Sequence, residues 1–84
     1  MRFMAEMGQE VAVQRKRLGL RQGEVAVQAG ITQELLSRFE NGQLSEFGSR
    51  KLLAVLAVLG LELSFTKAGT SGSLDELRRE RGGA

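Results

Sequence analysis

At 84 residues, with no Cys and no His, the chain has room for one small domain and lacks the thiolates and imidazoles needed for zinc fingers, iron–sulfur clusters, disulfide scaffolds and His-based catalysis. Hydrophobic residues at 42% and charged residues at 26% fit a globular fold rather than a disordered, collagen-like or membrane-embedded chain. The net charge of +2 decides little, but Arg15, Lys16, Arg17 and Arg21 crowd one stretch and Arg50 and Lys51 form a second focus, which suits a polyanionic partner.

From about Ala5 to Leu18, apolar residues Met4, Met7, Val11 and Leu18 recur at helical intervals, and Gly19 can close that helix. Gln22 to Ala29 reads as a second, short helix with Val25 and Ala26 as core candidates, ended by Gly30, where a left-handed turn is cheap. Thr32 is a good N-cap for a third short helix running through Leu35, Leu36 and Phe39 to Asn41 and Gly42. Residues 43 to 48 read as a loop. A fourth helix is predicted from about Ser49 to Leu59, with Leu52, Leu53, Val55, Leu56 and Leu59 around much of its circumference and Gly60 closing it.

After Gly60 the period changes. Leu61, Leu63 and Phe65 alternate with Glu62, Ser64 and Thr66, the pattern of a strand, yet no second strand is visible. A lone strand leaves its backbone groups unpaired, so the cheapest partner is the same strand of a second copy across a two-fold axis. The composition after Lys67 is that of a flexible linker, followed by Ser73 to Arg81 with only Leu74 and Leu77 as apolar anchors. The expected organisation is a helical domain over 1–60, a dimerisation strand over 61–67 and a flexible tail over 68–84. The longest apolar run, Leu52 to Leu61, is about half of what spans a bilayer, and acidic Glu6 and Glu10 do not suit the basic start of a signal peptide, so the reading is cytoplasmic.

A helix of about two turns, a Gly turn, and a second short helix opened by a Thr cap is the layout of a helix-turn-helix, whose second helix enters the DNA major groove while the first contacts the backbone. The order Leu20, Gln22, Glu24, Val25, Ala26, Gly30, Ile31, Thr32, Leu36, Phe39, Glu40, Asn41, Gly42 resembles the lambdoid repressors, Cro and the XRE-type regulators over about Val11 to Leu59. The segment Leu59 to Phe65 is similar to the dimer-forming strand of HipB-type antitoxins. The implied fold is mainly α, a four-to-five-helix lambda-repressor-like domain with one C-terminal strand paired across a homodimer.

The resemblance implies roles for individual residues. Gln22 aligns with a glutamine that binds phosphate and braces the recognition helix, and Gln33, Glu34, Ser37 and Arg38 fall on groove-facing positions. Gln33 suits bidentate bonds to adenine, Arg38 suits guanine or a phosphate, and Ser37 suits either. Glu34 departs from the usual pattern: a carboxylate there repels phosphate unless it accepts from a cytosine amino group, so its use would be selection rather than affinity. Arg21, Thr32, Arg50 and Lys51 are the remaining phosphate candidates. Glu40, in a last helical turn at the negative end of the dipole, needs a cation, and Arg15 stands where the family's pairing Arg does.

These readings lead to a sequence-specific DNA-binding homodimer that represses transcription from a pseudo-palindromic operator. A narrower form makes it the antitoxin of a HipBA-like operon, with a HipA-like toxin kinase as second partner. The alternative is a protein-interaction adaptor that keeps the fold without using DNA, since fold alone does not prove function. No metal or cofactor is expected. Nor is catalysis, because the Glu residues are scattered and the Gly-rich stretch after Lys67 lacks the Lys of a phosphate-binding loop.

Overall fold

Met4, Met7, Val11 and Arg15 recur every three or four residues, and this spacing folds as helix α1, Phe3–Arg17, in the computed structural model, which describes residues 3–68. It is followed by α2, Gln22–Ala29, α3, Gln33–Glu40, and α4, Ser49–Val58. The predicted linker and Ser73 to Arg81 segment lie outside the described residues, apart from Ala68.

Neither α2 nor α3 is long enough to be stable alone, so their stability comes from packing. One core is shared by all four helices: Val11 of α1, Val25 and Ala26 of α2, Leu36 and Phe39 of α3, and Leu52, Val55 and Leu56 of α4, with Leu59 closing the bottom. The α4 pattern is broader than the buried face it serves, and Leu53 is half exposed, as is Leu18 at the end of α1.

The turn between α2 and α3 is fixed by local chemistry. Gly30 adopts φ +76°, its N–H donates to the Val27 carbonyl, and the Ile31 N–H donates to the Ala26 carbonyl, a Schellman closure that an L side chain would strain. Ile31 then packs against the core and Thr32 caps α3, its Oγ1 accepting from the Leu35 N–H at 3.1 Å. Gly60 closes α4 in the same way, at φ +71°, and the Leu61 N–H bond to the Leu56 carbonyl turns Leu61 back onto the core. The loop from Asn41 to Gly48 is pinned by Phe47, whose ring lies 4.5 Å from that of Phe39.

Two features of the expected architecture differ. The described residues hold four helices and no fifth, and they contain no strand: residues 61–67 continue past Leu61 without any ladder. A strand needs a partner, and the described residues offer none. Leu61 is half-buried, Leu63 is half exposed and Phe65 is 93% exposed.

Candidate nucleic-acid interface

At the centre of the α2–α3 unit, Glu40 ends α3 with its side chain 3% exposed. Its Oε2 accepts from Arg15 Nε at 2.7 Å, and its Oε1 accepts from Arg15 Nη2 at 2.8 Å and from Gln22 Nε2 at 2.9 Å. Arg15 Nη1 also donates to the Leu20 carbonyl at 2.8 Å. One carboxylate thus ties together α1, the α1–α2 turn, the first residue of α2 and the last of α3. The Glu40 hydrogen bond raises the Arg15 pKa above its ordinary value, outweighing the opposing effect of burial. Among the described residues no buried side-chain polar atom is left without a hydrogen bond.

The Gln22 amide, expected at the phosphate backbone, here donates inward to Glu40. Its remaining donor and its carbonyl oxygen make no further hydrogen bond among the described residues. A second signal missed in the sequence is Gly8. A Cβ there would run into the Phe39 carbonyl oxygen, so α1 crosses the end of α3 at a distance only glycine allows. A glycine in mid-helix costs stability and so signals close approach. A third is Gln14, whose Nε2 donates to the Leu59 carbonyl at 3.0 Å while Arg17 donates to its Oε1.

On the outer face, the first turns of α2 and α3 meet. A Cβ at Gly23 would stand 3.4 Å from Gln33 Oε1, so the Gln33 amide lies against the N-terminal turn of α2. Gln33, Glu34 and Arg38 are exposed, and Ser37 is half-buried with its Oγ 3.5 Å from Asn41 Nδ2. An open depression between α3 and α4 brings together Thr32, Glu34, Leu35, Arg38 and Lys51. Arg21 and Arg50 are exposed but do not line it. The Arg21 N–H donates to Glu24 Oε1 at 2.7 Å, capping α2, and leaves the guanidinium outside that cap. Glu34 stands in the first turn of α3, where a carboxylate complements the positive end of the helix dipole.

A family model described as a helix-turn-helix domain matches residues 1–66, over three-quarters of the chain. The chain belongs to the helix-turn-helix domain family. In such a domain the second helix of the pair docks against DNA, and here that helix is α3. No curated protein and no solved structure matches the chain. No helix among the described residues is long and apolar enough to cross a membrane.

Proposed function

We propose that this helix-turn-helix protein is a sequence-specific DNA-binding homodimer that represses transcription, with α3 in the major groove. The observation that carries the reading is the exposed pair Gln33 and Arg38 on a short helix locked to α1 and α2 by the Arg15–Glu40–Gln22 network, with Lys51 beside Arg38 in one depression. Gln33, Glu34, Ser37 and Arg38 read base edges, and Arg21, Gln22, Thr32, Arg50 and Lys51 hold the backbone on either side. Gln22 can serve while bonded to Glu40, because its amide keeps a second donor.

The dimer forms through residues 61–67, with Leu61, Leu63 and Phe65 at the interface. The two α3 helices then lie about 34 Å apart and face half-sites one helical turn apart. The likeness of Leu59 to Phe65 to the HipB-type strand supports the narrower reading of an XRE-type antitoxin that represses its own promoter and binds a HipA-like toxin kinase in the cytoplasm. Selection of binding sites from random duplexes tests the reading. A pseudo-palindrome with half-site centres about 10 bp apart is expected, and recovery of no common sequence would refute specific readout.

A further inference from the structure

A second depression, on residues not shared with the α3–α4 one, runs between the N-terminal half of α1, the end of α4 and the segment that follows Gly60. Its walls are apolar. Phe3 and Met7 line it from α1, Leu61 and Leu63 line it from the other side, and Phe3 and Leu63 are 48% and 41% exposed. Carboxylates surround this apolar surface: Glu6 and Glu10, one turn apart on α1, and Glu62 opposite them. None of the three makes an ion pair among the described residues. Like charges at i and i+4 weaken a helix slightly, which offsets part of what Glu6 gains from its place in the first turn of α1.

We infer that this acid-rimmed groove binds a cationic amphipathic segment of a partner protein, with apolar side chains seated between Phe3, Met7 and Leu63 and flanking Lys or Arg residues paired with Glu6, Glu10 and Glu62. Charge complementarity selects this occupant. DNA is repelled by the carboxylates, and a second copy docking the same groove on itself would bring one acidic rim against the other. An apolar peptide without cations would leave the rim unpaired, whereas a basic amphipathic helix satisfies both floor and rim. Leu61, Glu62 and Leu63 also belong to the proposed dimer segment, so a second copy and the peptide compete for that wall, whereas Phe3, Glu6, Met7 and Glu10 belong to the groove alone; the inference rests on the groove and not on the DNA-binding reading.

The test is fluorescence anisotropy of three labelled peptides of about 14 residues, near the shortest length at which an isolated helix is marginal, titrated with the full chain. One is a Leu/Lys amphipathic helix, one a Leu/Glu helix of the same pattern, and one a Lys/Ser peptide of the same charge. Saturable binding of the Leu/Lys peptide alone is expected. It should weaken about tenfold or more in the triple variant Glu6→Gln, Glu10→Gln, Glu62→Gln, a difference of about 1.4 kcal/mol or more, while the thermal melt of that variant stays unchanged. Equal binding by the triple variant, or by the Lys/Ser peptide, overturns the inference. So does peptide affinity that falls as the chain concentration rises, which assigns the groove to a second copy. Affinity that increases in a Leu74→Ser, Leu77→Ser variant assigns it to the chain's own C-terminal residues, with the same consequence.

Discussion

Gly8 and Glu40 fix the same contact from two sides. Gly8 lets α1 approach the Phe39 carbonyl, and Glu40, the next residue along α3, is held by Arg15 two turns further along α1. A methyl group at position 8 has backbone rather than a flexible side chain in its way, so Gly8→Ala is expected to destabilise by about 1–3 kcal/mol in urea unfolding, the usual cost of overpacking. The gain in helix propensity is about 1 kcal/mol at most and does not offset a displaced helix. Glu40→Ala leaves Arg15 buried and charged with only the Leu20 carbonyl to accept from it, and the expected loss is about 3–5 kcal/mol. Stability linked to a raised pKa is present below the unfolded-state value and is lost only as pH rises through the folded-state value. For Arg15 both lie above the working range, so titration of Arg15 itself adds no pH dependence near neutrality. The need for a cation at Glu40 was legible from the helix dipole, and the choice of Arg15 from the family resemblance. For the second partner, Gln22, the resemblance implied both a phosphate contact and a brace on α3, but nothing in local sequence named Glu40 as the group it donates to.

Among the elements, the α2–turn–α3 unit was the most legible, since its determinants are local: Gly30 for the left-handed turn and Thr32 for the cap. The ends of α1 and α4 were nearly as clear. Their mutual fastening was not, because the Gln14 bond to the Leu59 carbonyl joins residues far apart in sequence. That bond satisfies a carbonyl at the end of α4, and Gln14→Ala is expected to cost about 1 kcal/mol. Amide hydrogen exchange should report the loss as faster exchange in the last turn of α4, with α2 and α3 unaffected. Uniform loss of protection across all four helices would show that the bond supports the whole core instead. Strand alternation in residues 61–67 was equally visible in sequence. Alternation records which residues share a face, but ladder formation depends on a partner that the described residues do not contain.

At the scale of the molecule, a core of this size rarely supplies more than about 3–5 kcal/mol, and Phe65 exposed at 93% is an apolar surface that a second copy could cover. If residues 61–67 form the dimer, dilution should lower the melting temperature, and Phe65→Asp should sediment as a monomer at concentrations where the wild type is a dimer. A Phe65→Asp dimer would remove strand pairing from the account. Charge is also spread unevenly over the molecule, with Arg38 and Lys51 beside α3 in company with Glu34, and Glu6, Glu10 and Glu62, in no ion pair among the described residues, around the other groove.

The central claim, that α3 reads DNA sequence, is met most directly by titrating the protein against a labelled fragment from upstream of its own coding region over a series of salt concentrations, beside a scrambled fragment and a Gln33→Ala variant. Binding should be tight to the native fragment, should fall steeply in log affinity with log salt as phosphate contacts require, and should be weakened both by scrambling and by Gln33→Ala. Binding that is weak, indifferent to salt, and equal for both fragments and for the variant would contradict it.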